Sequence, residues 1–206
     1  MPSENFPEQR SDEWFAVRLG KLTASSCKDA LATTKTGESK LRSNLKLKIL
    51  SERLTGMPVK TPLTIPMQEG IDNELSAKLA FEEKTGLQVK ECFFFDHPVI
   101  PMLGASPDGI VGDALIEIKC PQQVKHTETI LSGQIPKEHF PQLLCQLACA
   151  EKKKIYFVSY HPFFPENSQL FIKEFEPSRE EIEEFEKKAL AFLNELNKME
   201  GVFHGS

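Results

Sequence analysis

Between Ser106 and Pro121 the sequence gathers two acids and a lysine at a spacing that suits phosphodiester hydrolysis. Gly112-Asp113 reads as a two-residue hairpin loop. Val111 then faces Ala114, Ile110 faces Leu115, Gly109 faces Ile116, and Asp108 falls opposite Glu117. Directly opposed side chains have Cβ atoms ~4.5–5.5 Å apart. Two like charges there destabilise the pair unless a cation offsets them, and hard divalent cations take carboxylate oxygens. Lys119 lies on the same strand face as Glu117, while Ile116 and Ile118 point the other way, into a core. A cation so held acidifies water and polarises a phosphoryl oxygen. The ammonium orients the nucleophile or steadies developing charge. The competing reading is a surface hairpin with Glu117–Lys119 as a same-face ion pair, and a one-residue slip in register would end the opposition.

The surrounding pattern predicts the elements that position these residues. A helix over 11–19 starts at Ser11 as N-cap and stops at Gly20, and a second short helix covers 23–31. Residues 32–42 read as a loop, followed by a helix from Ser43 to Leu54 that Gly56 ends. Residues 57–66 carry Pro58, Pro62 and Pro66 and read as an irregular connector. A helix over 67–84 ends at Gly86, with Ile71, Leu75 and Leu79 as a stripe expected to face the core. Strands are expected over 87–95, 104–111, 114–119, 154–160 and 170–175. A helix over 136–150 buries Phe140, Leu143, Leu144, Leu147 and Ala148. Ser178 caps a last helix to about residue 200, with Ile182, Phe185, Ala189, Leu193 and Leu196 inward. The order implies an α/β fold with a mixed central sheet flanked by helices.

At 206 residues the chain suits one domain spanning 1–206. Hydrophobic residues at 40% and charged residues at 27% exclude collagen-like and disordered classes. The net charge of −5 excludes a general polycation for nucleic acid but not a local basic patch. Cysteines at 27, 92, 120, 145 and 149 include no C-x-x-C pair and read as reduced thiols, with Cys145 and Cys149 packing on one helix face. The N-terminus has no apolar stretch of a signal peptide, and no apolar run nears the ~20 residues of a membrane helix. Residues 203–206 read as a frayed tail. The expected location is the cytoplasm.

The residues resemble a known family. Ser106-Pro107-Asp108-Gly109 followed by Glu117-Ile118-Lys119-Cys120-Pro121 resembles the PD-(D/E)XK nuclease superfamily, and more narrowly its lambda exonuclease or YqaJ-type viral recombinase branch. Four further elements follow in the family's order across about 11–165. They are Trp14 through Ser25; Gly70, Glu74 and Ala77; Gln142 and Gln146; and Tyr156-Phe157 with Tyr160-His161-Pro162. The resemblance implies a restriction-endonuclease-like core with Asp108, Glu117 and the Ile118 carbonyl as metal ligands. Lys119 would be the catalytic lysine, Glu74 a further acid and Gln142 a water-positioning residue. Arg18, Ser25, Ser106 and Lys35 would hold the 5′-phosphate of a DNA end. A guanidinium grips phosphate through paired hydrogen bonds. Lys35 stands where a compared family member carries arginine, His139 replaces a tyrosine, and Asp96 lies near an acidic position with shifted spacing.

The implied activity is Mg²⁺-dependent, ATP-independent 5′→3′ digestion of one strand of linear duplex DNA, with Mn²⁺ substituting. The products are mononucleotides and 3′ single-stranded tails. Implied partners are DNA ends, two further copies in a homotrimeric ring, and a single-strand annealing protein, in a phage or prophage setting within a bacterial host. A ring lets an acidic protein hold DNA, because basic residues can line the channel. The cations Lys35, Lys40, Arg42, Lys46, Lys48 and Arg53 form a candidate DNA-facing patch. Trp14 reads as a core anchor. The alternatives are a structure- or sequence-specific endonuclease of the same superfamily and a catalytically silent DNA-binding subunit. A Cas4-like iron–sulfur nuclease is disfavoured by the cysteine spacing.

Overall fold

The computed structural model describes residues 11–35, 37–60 and 62–205. Residues 1–10, which carry the signal-peptide argument, and Ser206 lie outside that description.

Ser11 accepts the Trp14 amide and starts α1 (Asp12–Arg18). After the Gly20 turn come β1 (Leu22–Thr23), a 3₁₀ turn (Ala24–Ser26) and α2 (Cys27–Ala30). A small hairpin, β2 (Thr33–Thr34) and β3 (Gly37–Glu38), precedes α3 (Lys40–Thr55), which Ser39 caps and Gly56 ends in the left-handed conformation. Thr64 caps α4 (Ile65–Thr85), which stops at Gly86. Then follow β4 (Phe95–Asp96), β5 (Leu103–Ala105), β6 (Gly109–Val111), β7 (Ala114–Lys119), α5 (Gln123–Ser132) and α6 (Phe140–Ala150). Strand β8 (Ile155–Tyr160), β9 (Leu170–Phe175) and α7 (Arg179–His204) complete the chain, with Ser178 and Glu181 forming a capping box at the start of α7.

The main sheet runs β6-β7-β8-β9, antiparallel at both outer pairs and parallel between β7 and β8. A smaller mixed sheet orders β1-β5-β4. Alternation along β7 sends Ile116 and Ile118 toward Ala77 and Phe81 of α4. Leu115 goes the other way, against Leu143 and Leu147 of α6. A further apolar cluster joins α2, α3, α6 and α7 around Leu103, Cys145 and Phe192. Cys145 and Cys149 pack there, with sulfurs 3.9 Å apart. Among the described residues no helix is long and apolar enough to cross a membrane.

The structure corrects several expectations. The α4 stripe is wrong: Leu75 and Leu79 are 67% and 56% exposed, and the small Ala77 with Phe81 packs on the sheet instead. A close helix–sheet approach favours the face with small residues, which a count of large apolar positions overlooks. Thr23 lies in a strand, so the predicted helix over 23–31 shrinks to two short turns. The loop over 32–42 contains a hairpin and gives way to α3 at Lys40, because Ser39 rather than Ser43 supplies the cap. The strand over 87–95 is reduced to a Lys90–Ile110 bridge and β4. The run over 104–111 is two strands separated by residues 106–108. The first turn of the predicted 136–150 helix is 3₁₀, and α6 begins at Phe140. Helix α7 continues through His204, so Phe203 and His204 of the expected tail are helical.

Gly109 is where the bridge presses hardest on the hairpin. A Cβ there would lie 2.5 Å from Val89 Cγ1 and 2.8 Å from the Lys90 carbonyl oxygen. Backbone cannot yield as a side-chain tip can. We expect Gly109→Ala to cost about 1–3 kcal/mol, read as a lower urea midpoint at unchanged slope.

Candidate active site

The two-residue hairpin forms in the predicted register, pairing Gly109 with Ile116, Ile110 with Leu115 and Val111 with Ala114. At Asp108 the ladder departs from it, because the Asp108 amide donates to the Ile116 carbonyl at 3.0 Å. The Asp108 carboxylate instead accepts the Ile118 amide at 2.6 Å. The predicted direct opposition of Asp108 and Glu117 is thus replaced by a side chain folded onto the edge of β7. The N–H and C=O of one residue leave an extended strand on the same side, so the Ile118 carbonyl also points to the Asp108 edge.

Glu117 is not on a surface hairpin. It is 2% exposed, because α6 covers its face of β7. Its carboxylate accepts Gln142 Nε2 at 2.6 Å and Gln146 Nε2 at 2.5 Å, one on each oxygen. Lys119 Nζ approaches the first of these oxygens to 2.5 Å. Gln142 and Gln146 are one helical turn apart and so reach the same carboxylate. Gln146 belongs to the recognised motif, yet its placement on Glu117 goes beyond the roles read from sequence. A buried amide in an otherwise apolar helix, four residues after another, is the signal for it.

The charges set the chemistry. Burial, then the charges of Glu117 and Glu74, raise the Asp108 carboxyl well above the usual carboxylate range. Burial opposes the charge of Lys119, but Glu117, Asp108 and Glu74 outweigh it, so its pKa stands above the ordinary lysine value. Lys119 is therefore an ammonium at working pH, suited to stabilising charge rather than removing a proton. Glu74 lines the same cleft from α4, where a Cβ on Gly70 would make ordinary contact, 3.7 Å, with the carbonyl of Cys120 just after β7. His139 also lines the cleft, beside Phe157 at 5.1 Å between ring centroids. Burial, reinforced by Lys119, lowers its pKa to about 4, so the ring is neutral near pH 7.

Among the described residues no three histidine, cysteine or acidic side chains converge closely enough to cage a metal alone. Asp108, Glu117 and the Ile118 carbonyl supply hard oxygens where the charges of Glu117 and Glu74 act on Asp108. That donor set fits a cation such as Mg²⁺, which keeps few carboxylates and fills its shell with water and phosphate.

Arg18 enters the same cleft, whose volume is about 1410 Å³. Its Nη1 donates to Ser106 Oγ at 2.8 Å, and its guanidinium lies 3.9 Å from the Trp14 ring centroid. Trp14 is thus a shelf for Arg18 in the cleft wall rather than a core anchor. Burial lowers the Arg18 pKa to about 10, partly countered by Glu117, and leaves it a cation. Ser25 is exposed on the cleft wall, its Oγ 3.4 Å from Thr23 Oγ1. Lys35 is exposed in the turn between β2 and β3 and does not line the cleft. Asp96 pairs with Lys21 at 2.6 Å and is also outside the lining. The candidate basic patch divides. Arg42 and Lys46 are engaged by Glu38 and Glu195, and Arg53 by Glu200. Lys48 lines the cleft, as do Lys21 and Lys60, which sequence reading did not single out.

Comparison with known proteins agrees with this geometry. The crystal structure of LHK-Exo in complex with dAMP superposes with a TM-score of 0.87 at 39% identity, over 94% of this chain and 96% of that one. The alkaline exonuclease LHK-Exo from Laribacter hongkongensis gives 0.86 at 38% identity, over 94% and 96%. A phage-related exonuclease from Haemophilus somnus 129PT shares the fold, with a TM-score of 0.70 at 11% identity, over 90% and 96%. No curated protein sequence matches significantly. Residues 13–153 match the model of the YqaJ-like viral recombinase domain. With the acidic hairpin, the paired glutamines and the arginine in their expected order, the chain belongs to the YqaJ-like viral recombinase family.

Proposed function

We propose that the protein is a Mg²⁺-dependent, ATP-independent 5′→3′ exonuclease that digests one strand of linear duplex DNA and leaves 3′ single-stranded tails for recombination by strand annealing. The observation that carries this reading is one cleft holding Asp108, Glu117 and Lys119 beside Arg18 and Ser106. Hydrolytic groups and a phosphate grip share a wall. The relatives support it: LHK-Exo, 39% identical, is an exonuclease crystallised with dAMP, a mononucleotide of the kind such digestion releases.

In this reading Asp108, Glu117 and the Ile118 carbonyl hold the cation. When bound, Mg²⁺ supplies Lewis-acid polarisation of the scissile phosphate and acidifies water. Lys119 stays charged and stabilises the negative charge that develops on the phosphate. Gln142 and Gln146 hold the Glu117 carboxylate in place, and Gln142 helps position the attacking water. Glu74 adds negative charge that favours the cation. Arg18, Ser106 and Ser25 hold the terminal 5′-phosphate. Lys35 faces DNA only from outside the cleft. The acting form is a homotrimeric ring in the host cytoplasm, phage or prophage encoded, paired with a single-strand annealing protein.

The test uses linear duplex labelled at one 5′ or one 3′ end, together with a closed circle, with and without Mg²⁺. We expect early Mg²⁺-dependent release of the 5′ label, slow release of the 3′ label and an intact circle. Cutting of the circle would establish an endonuclease instead. Lys119→Ala is expected to lower the rate by at least about a hundredfold, the scale of losing one transition-state charge contact, in a protein that keeps a folded circular-dichroism spectrum but melts lower without metal, because buried Glu117 loses its counter-charge.

The metal site has its own signature. A carboxyl raised in the folded state binds more protons there than when unfolded. Stability therefore falls as pH climbs from the unfolded value, ~3.9, through the folded one. At pH 8 without metal, Asp108→Asn should melt above the wild type. Added Mg²⁺ should raise the wild-type melting temperature and leave the variant unmoved.

A further inference from the structure

We propose that Glu52 and Arg53 form a clasp that positions Arg18, and that α7 braces it from behind. Residues 18–21 form a tight turn. Leu19 has φ −60° and ψ 127°, Gly20 has φ +68°, and the Lys21 amide donates to the Arg18 carbonyl at 3.2 Å. That is a type II turn, whose third position needs a positive φ and so favours glycine. Both ends of the turn, Arg18 and Lys21, line the cleft.

The corner of the turn is held from both sides by consecutive residues of α3. Arg53 Nε donates to the Gly20 carbonyl at 2.8 Å, and the Gly20 amide donates to Glu52 Oε2 at 3.4 Å. The other Glu52 oxygen accepts the Val59 amide at 3.2 Å, which ties Pro58, Val59 and Lys60 of the cleft wall to the same carboxylate. Glu52 is 8% exposed and the Arg53 side chain 7%. Burying such groups costs stability unless their polar atoms are used; here Glu52 Oε2 and Arg53 Nε are used on the N–H and C=O of the single residue Gly20, while Arg53 Nη2 has no partner among the described residues. Room is tight as well: a Cβ on Gly20 would lie 2.8 Å from Arg53 Cγ. Arg53 is fixed in turn by α7, through Asn197 Oδ1 at 3.0 Å and Glu200 Oε2 at 3.1 Å. These α7 residues lie beyond the segment matched by the family model. The C-terminal helix therefore reaches Arg18 through Arg53 and Gly20.

Glu52 and Arg53 are positioning residues, and the inference rests on reading Arg18 as the holder of the terminal phosphate. The experiment compares initial rates, with Mg²⁺, on duplexes whose single open end carries a 5′-phosphate or a 5′-hydroxyl. The wild type should prefer the phosphate and Arg18→Ala should lose that preference. Glu52→Gln and Arg53→Lys should each reduce the preference by about three- to tenfold, the worth of a hydrogen bond or two in placement, through a higher KM for the phosphorylated end. Their rates on the hydroxyl end should stay within about twofold of wild type. Melting temperatures separate misfolding from misplacement, and Asn197→Ala loosens Arg53 without touching the cleft and should shift the preference the same way. Variants that keep the wild-type preference, or that lose both rates in proportion, would overturn the clasp while leaving the exonuclease reading intact. A wild type without phosphate preference would overturn the terminal-phosphate reading itself, and the clasp with it.

Discussion

The rest of the active cleft depends on a carboxylate buried on purpose. Glu117 sits in the middle of the main sheet under α6, almost out of reach of water. A charge there is tolerable only because each oxygen has a donor: Gln142 and Lys119 on one, Gln146 on the other. Those contacts fix where α6 crosses the sheet and which way Lys119 leans. The second acid, Asp108, lies folded onto the Ile118 amide at the edge of β7.

That arrangement stores electrostatic tension with a direction. The charges of Glu117 and Glu74 both act on Asp108, and Lys119 is a positive counterweight to all three. A divalent cation held by Asp108 and Glu117 would relieve that repulsion and weaken the pairing of Lys119 with Glu117. In the proposed reaction Lys119 would then be available to the phosphate. Arg18 lines the same wall and feels Glu117.

Much of the site was legible in sequence because its logic is local. A hairpin loop of known length places Gly109 against Ile116, and strand alternation then puts Glu117 and Lys119 on one face. The strand β9 and the capped start of α7 follow from patterning and one serine. What escaped depends on contacts between distant segments. The α4 stripe failed because a helix packed closely on a sheet turns its small residues inward, leaving Leu75 and Leu79 outside. Helix α5 was missed because its buried residues are His126 and Thr129, which carry no apolar period. Arg42, Lys46 and Arg53 looked like a DNA-facing patch, yet acids from Glu38 and from α7 claim them. The bend at Asp108 has no sequence signal beyond the crowding that Gly109 permits.

The central claim is that Asp108 and Glu117 share one cation. Anomalous diffraction from crystals soaked in Mn²⁺ tests it most directly. The account predicts a single strong peak in contact with both carboxylates and the Ile118 carbonyl, with the Lys119 ammonium moved off Glu117. An empty edge at β7, with Lys119 still paired to Glu117 and manganese bound elsewhere or nowhere, would contradict it.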